Sequence, residues 1–152
     1  MPIQPDQTER RTELEAFIAR CEQGLRHQVR GDPEPFVAVW SHADDVSILG
    51  AIGSYAQGWE DVSTHLRAAS RTLNWTEVSV QRLLTSFSGD LAVTVVLERM
   101  SNAEAARTLR VTHAYRREDQ GWRLILRHAN QVTPDDEALE RAIRSARVSQ
   151  PD

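Results

Sequence analysis

The spacing of apolar residues changes once along the chain, and this change limits the fold more than any other feature. Before Asn74, apolar residues recur at spacings of three and four, as in the stripe Leu14, Phe17, Ile18, Cys21, Leu25 and Val29. That spacing predicts amphipathic helices. From Asn74 onward the period becomes two, which predicts β-strands. Helices grouped before strands indicate an α+β domain rather than alternating β-α-β units.

The first long strand is predicted to be bent. Within Thr76–Phe87, Val78 and Val80 lie on one parity, whereas Leu83 and Phe87 lie on the other. A change of parity inside one strand is typical of a β-bulge, which inserts one extra residue and bends the strand.

The chain ends in a hairpin and a helix. Two strands over Arg107–Gln131 flank a tight acidic turn, and a helix is predicted over residues 133–147 because an acidic cluster follows a proline there. We therefore expect one domain over residues 1–152, in which a curved antiparallel sheet wraps around the N-terminal helices. A cone of this shape encloses a pocket.

Charge and composition narrow the function classes. The net charge is −4 and all 18 basic residues are arginine. The acidic balance argues against a nucleic-acid partner, and the lack of lysine excludes Schiff-base chemistry. With Cys21 as the only cysteine, no signal-peptide pattern and no membrane-spanning stretch, a cytoplasmic protein is expected. The chain has no glycine-rich phosphate loop, so no cofactor is expected.

The terminal hairpin carries the most specific pattern. It reads R-V-T, then R-R before the acidic turn, G-W, an aliphatic stretch and H-A-N, over Leu109–Asn130. This pattern resembles SnoaL-like proteins of the nuclear-transport-factor-two-like superfamily, which includes ketosteroid isomerases, polyketide cyclases and the association domain of calmodulin-dependent kinase. Phe36–Trp40, Asp44–Val46 and Gly58-Trp59 match the family's order. The resemblance spans about residues 12–131 and implies a cystatin-like cone.

The resemblance also places the catalytic positions of ketosteroid isomerases on unsuitable residues. The general base would fall at Gly50, and the oxyanion-hole residues would fall near Gln23 and Thr112. Proton abstraction beside a carbonyl needs both a base and a group that stabilises the enolate. We therefore expect that the chain is not a ketosteroid isomerase.

The resemblance implies a pocket lined by arginines and aromatic residues, namely Trp40, Tyr55, Trp59, Arg99, Arg110, Thr112 and Arg127. Arginine binds carboxylates in bidentate fashion, so a small carboxylate or another polar ligand would suit it. Alternatively, these arginines form solvated pairs with Glu98 or lie at an interface. The sequence does not decide which hairpin face looks into the cone.

The other face of the hairpin is almost entirely apolar and therefore needs a cover. Helices of the same chain or a second subunit would provide it. Because members of the resembled family often dimerise through their sheets, a homodimer through the sheet face is expected.

Four residues are weaker catalytic candidates. His42 with Asp45 would form a base with an orienting acid, and His113 with His128 would exchange protons if the two lay opposite each other. In the alternative interpretation, these histidines are structural. No third ligand lies at a suitable spacing, so no metal site is expected.

Three functions remain open from the sequence. The first is a small-molecule-binding SnoaL-like protein whose catalytic status is undecided. The second is a cyclase, dehydratase or hydrolase of the same superfamily. The third is an oligomerisation module that uses the sheet face.

Overall fold

The computed structural model describes residues 6–148, and within them it confirms the predicted α+β class. The helices are α1 (Gln7–Val29), α2 (Glu34–Val37), α3 (Trp59–Ser70) and α4 (Pro134–Val148). The strands are β1 (Ser47–Leu49), β2 (Tyr55–Gln57), β3 (Glu77–Ser88), β4 (Leu91–Ser101), β5 (Ala106–Glu118) and β6 (Gly121–Gln131). The ends of the predicted domain, residues 1–5 and 149–152, lie outside the described residues.

The strands form one curved sheet in the order β2-β1-β6-β5-β4-β3. Four of its five neighbouring pairs are antiparallel, whereas β1 runs parallel to β6. The sheet is therefore mixed rather than purely antiparallel. The parallel pair arises because the short β1–β2 hairpin, which lies between α2 and α3, joins the sheet beside the last strand of the chain.

A bulge bends β3 where the sequence predicts one. The register against β4 shifts between Arg82 and Leu84, which leaves Leu83 without a partner on the neighbouring strand. This confirms the interpretation of the parity switch. The bulge bends the long strand towards the helices and lets both of its ends follow the curvature of the sheet.

A second bulge lies in β6 and was not predicted. Ala114 of β5 pairs with Leu126, but the next residue, Tyr115, pairs with Leu124, so Ile125 is skipped. Because side chains alternate along a strand, one extra residue reverses which positions of β6 face inward beyond it. This reversal determines the composition of the cavity described below.

The inner face of the sheet packs on the helices. The side chain of Asp6 caps α1 by accepting a hydrogen bond from the backbone N–H of Glu9 at 2.8 Å. The predicted apolar stripe of α1 is buried along its length. Gly24 lets α2 approach closely, because a Cβ at this position would lie 2.9 Å from the Cα of Phe36.

The predicted apolar face of the terminal hairpin is divided by the β6 bulge. On β5 it consists of Leu109, Val111, His113 and Tyr115, all of which are buried against the helices. Beyond the bulge in β6, Leu126 and His128 lie instead on the outer side of the sheet.

The outer face of the sheet and α4 are less covered. Leu84, Leu91 and Val93 are exposed on the outer face. No residue of α4 is buried. Among the described residues, no helix combines the length and the apolarity needed to cross a bilayer.

Candidate functional site

A cavity of about 710 Å³ lies between the inner face of the sheet, α1, α3 and the β1–β2 turn. Its wall is largely apolar, and the polar side chains in it are Gln28, Ser54, His65, Thr72, Asn74, Arg107 and Arg127. Cavities of roughly 300–1,000 Å³ with an apolar wall and a few polar groups are typical of small-molecule sites.

One member of a buried ion pair, Arg127, forms part of the cavity wall. Arg127 of β6 donates from Nη1 and Nη2 to the two carboxylate oxygens of Glu98 on β4, each at 2.7 Å. The side chain of Glu98 is only 1% exposed and that of Arg127 is 12% exposed. Two parallel charge-assisted bonds hold the guanidinium in a fixed plane. They also cancel its charge, so this part of the wall is electrically neutral.

His113 completes the buried cluster. Arg127 Nη1 also donates to His113 Nε2 at 3.0 Å, and since that nitrogen accepts, the ring proton of the neutral imidazole lies on Nδ1. Burial, assisted by the neighbouring guanidinium, holds the pKa of His113 well below its usual range. His113 is therefore neutral at pH 7 and serves as an acceptor for Arg127.

Arg127 keeps hydrogen-bonding capacity towards the cavity. A guanidinium has five N–H donors, and three of them are used on Glu98 and His113. The Nε–H and one Nη2–H have no hydrogen-bond partner among residues 6–148. Because Arg127 is part of the cavity wall, these donors suit an oxygen acceptor on a bound molecule.

A second arginine lies at the other end of the cavity. Arg107, near the start of β5, is opposite Met100 of β4, and its guanidinium carbon lies 5.5 Å from the ring centroid of Trp75. All three residues belong to the cavity wall. Within residues 6–148, Arg107 takes part in no ion pair.

The predicted pocket arginines are separated by the sheet. Arg127 faces the cavity, whereas Arg110 and Thr112 of β5 point to the outer face, opposite to the buried positions of that strand. Arg99 of β4 is also on the outer face and donates to Gln81 Oε1 at 2.9 Å. The β6 bulge is the reason, because simple alternation through Ile125 would have placed Arg127 beside Arg110.

The three predicted aromatic residues lie away from this cavity. Trp40 is fully buried in the core, and Tyr55 is exposed with its hydroxyl donating to Gln57 Oε1 at 2.7 Å. Trp59 stacks on His42 with ring centroids 4.0 Å apart. The aromatic residues that do line the cavity are Phe36 and Trp75.

The two predicted histidine pairs are not formed. Asp45 is held by Arg116 through bonds of 2.7 and 3.1 Å, which lower the pKa of its carboxyl group, and no hydrogen bond joins it to His42. His128 pairs with Thr112 in the register and therefore lies on the face opposite to His113. No cluster of three His, Cys, Asp or Glu residues suited to a metal occurs among residues 6–148.

Two contributors to the site were missed by the sequence reasoning. Glu98 was considered only as a solvated partner of arginines, yet it occupies a buried β4 position that alternates with Ala92, Thr94 and Val96. That alternation is the signal that would have placed it inside. Arg107 carries the same kind of signal, because it shares the parity of Leu109 and Val111 on the buried face of β5.

Comparisons with known proteins agree with this architecture. A family model described as a SnoaL-like domain matches residues 19–134. No curated protein matches the sequence.

Three solved structures illustrate the fold. A candidate calcium/calmodulin-dependent protein kinase type II association domain from Thiobacillus denitrificans has 21% identity and a TM-score of 0.69, covering 88% of this chain and 100% of its own. A candidate dehydratase of the nuclear-transport-factor-two-like family from Streptomyces avermitilis has 17% identity and a TM-score of 0.65, covering 84% and 99%. A domain of unknown function with a cystatin-like fold from Nostoc punctiforme has 16% identity and a TM-score of 0.66, covering 92% and 88%. At these identities the similarity establishes the cystatin-like fold alone.

Proposed function

The chain belongs to the SnoaL-like domain family, and from that premise we propose that it binds a small, mostly apolar molecule in the cavity beside Arg127. The observation that carries the proposal is the arrangement of Arg127. Its charge is cancelled by Glu98, and two of its N–H donors remain without a partner among the described residues.

The neutral pair favours a particular kind of polar group at this end of the cavity. A carboxylate beside Arg127 would also approach Glu98, whose charge opposes it. A carbonyl or hydroxyl oxygen accepts hydrogen bonds from the guanidinium without adding a second negative charge. We therefore assign this end of the cavity to a neutral oxygen acceptor, while apolar walls such as Leu66 and Leu109 contact the rest of the molecule.

The same contacts argue against Glu98 and His113 as general bases. A general base needs a free lone pair within hydrogen-bond reach of the substrate. Glu98 is only 1% exposed and both of its oxygens accept from Arg127, and the acceptor nitrogen of His113 is engaged by the same guanidinium. Neither residue lines the cavity, so a bound molecule does not reach their acceptors in this arrangement.

Calorimetric titration with octan-1-ol tests the proposed function, because this probe has an apolar chain and one terminal hydroxyl. The variant Ala69→Phe places a large side chain in the cavity wall and is expected to abolish binding. Ala19→Phe, on the exposed side of α1, is the matched control and should bind as the unmodified chain does. Equal binding by both variants, or no binding by the unmodified chain, would contradict the proposal.

We also propose that the outer face of the sheet mediates a homodimer. This face carries Leu84, Leu91 and Val93 exposed to solvent, together with Leu97 and Leu126 partly buried beside them. Contiguous exposed apolar side chains are typical of interaction surfaces. Sedimentation equilibrium should give a dimer that Val93→Glu dissociates, and a monomer throughout the micromolar range would contradict this part of the proposal.

A further inference from the structure

We propose that the cavity selects elongated monocarboxylates, with the carboxylate bound by Arg107 and a neutral oxygen at the opposite end bound by Arg127. This inference rests on the proposed function and names the class of molecule that the site takes. Each arginine recognises a different group because their electrostatic surroundings differ.

The charge balance of the cavity wall supports an anionic ligand. Arg107 and Arg127 are the two arginines in the wall, and the charge of Arg127 is cancelled by Glu98. Arg107 forms no ion pair with any residue between 6 and 148. The described wall contains no Asp or Glu side chain, so the charge of Arg107 is left uncompensated at one end. A ligand carboxylate would compensate it.

The position of Arg107 suits this role. Its guanidinium lies over the ring of Trp75, which is itself buried, at 5.5 Å from the centroid. Contact of this kind uses the face of the aromatic ring and restricts the arginine side chain. The N–H groups at the edge of a guanidinium are those that bind a carboxylate in bidentate geometry, so the stacked arrangement leaves them usable.

The separation of the two arginines sets the length of the molecule. The guanidinium of Arg127 is bonded to Glu98, which lies opposite Leu109, and to His113, so it lies between the levels of residues 109 and 113 on β5, about four residues from Arg107. At about 3.3 Å per residue, this is roughly 13 Å along the strand. A molecule the size of acetate cannot contact both. An extended chain of intermediate length with polar groups at its two ends can do so.

Three probes separate this inference from the proposed function. They are 8-hydroxyoctanoate, which has both end groups, octan-1-ol, which lacks the carboxylate, and acetate, which lacks the chain. Calorimetric titration should give an affinity for 8-hydroxyoctanoate about tenfold above that for octan-1-ol. One additional charge-assisted hydrogen bond contributes enough binding free energy for a difference of this size. Binding of acetate should be undetectable at the same concentrations.

The variant Arg107→Gln should remove the tenfold preference for 8-hydroxyoctanoate over octan-1-ol. Arg110→Gln, on the outer face, is the matched control and should keep the preference. The preference should also weaken as the salt concentration rises, because a partly exposed ion pair is screened.

Each outcome has a distinct meaning. If octan-1-ol binds but 8-hydroxyoctanoate binds no more tightly, or if Arg107→Gln keeps the preference, the proposed function stands and the carboxylate inference is overturned. If neither probe binds, both are overturned. A fall in the melting temperature of Arg107→Gln with the preference retained would assign Arg107 a packing role on Trp75 instead.

Discussion

Replacing Glu98 by glutamine provides a direct test of the buried cluster that defines the site. The substitution preserves the shape of the side chain but removes the charge that faces Arg127 across two bonds of 2.7 Å. Arg127 would then be a cation with 12% of its side chain exposed and no compensating charge. Breaking a buried pair by removing one partner costs about 3–5 kcal/mol. Because glutamine retains one acceptor, we expect about 3 kcal/mol.

Urea denaturation followed by tryptophan fluorescence measures this change as a shift of the midpoint at constant slope. The matched control is Glu15→Gln, whose partner Arg82 is bound at a similar distance but at the surface. An exposed pair contributes about 0–1 kcal/mol, so the two substitutions should differ by about 2 kcal/mol or more. Equal effects would refute the argument that burial makes this pair sensitive.

A double substitution keeps the test decisive if Glu98→Gln does not fold. Replacing Glu98 and Arg127 together by methionine removes both charges and leaves none uncompensated. In other proteins, replacing a buried ion pair by apolar residues of similar size often leaves the free energy of unfolding unchanged or raises it. The double variant should therefore be more stable than Glu98→Gln alone. The reverse order would mean that the free energy lost does not come from an unpaired guanidinium.

The remaining predictions concern the surroundings of the cavity. The pKa of His113 is lower in the folded than in the unfolded chain, so the unfolded chain binds the proton first as the pH falls. At pH values below about 6.5, the free energy of unfolding should therefore decrease by up to about 1.4 kcal/mol per pH unit. Urea denaturation at several pH values should show a weaker pH dependence in His113→Gln. Tyr115→Phe should lower the free energy of unfolding, measured by urea denaturation, by about 1–3 kcal/mol, because it leaves the buried Thr94 hydroxyl without its partner at 2.9 Å. Adding Thr94→Val removes that unpaired hydroxyl and should recover much of the loss. Gly24→Ala should lower stability by about 1–3 kcal/mol despite the better helix propensity of alanine, since its Cβ would meet the α2 backbone at 2.9 Å; an increased melting temperature would contradict this.

The helices and one bulge could be predicted because their signals are local. The α1 stripe repeats over six apolar residues, and every one of them is buried. In β3 the valines at 78 and 80 and the apolar side chains at 83 and 87 reveal both parities, so the extra residue is visible in the sequence. The pairing of β1 with β6 joins segments far apart in the chain, and no local pattern encodes it.

The cavity could be predicted only in part. In β6 the run Leu124-Ile125-Leu126 is apolar at every position, so alternation gives no sign that one residue is skipped. The expected grouping of Arg127 with Arg110 depended on uninterrupted alternation and therefore failed. The site depends on the register of three successive strands, because Glu98, His113 and Arg127 come from β4, β5 and β6 respectively and a shift in any register changes which side chains meet.

The skipped residue in β6 also restricts how this chain can diverge. Pairing Ile125 with Ala114, as an uninterrupted strand would, changes the face of every later position of β6, so Arg127 would turn outward and Glu98 would be left as an unpaired carboxylate. Deleting Ile125 would instead leave Leu126 opposite Ala114 and Arg127 opposite His113, so the buried pair would keep its place in a regular strand. Among homologues, a chain without the extra residue can therefore keep Glu98 and Arg127, whereas a chain that keeps the residue but loses the bulge should carry a different pair on β4 and β6.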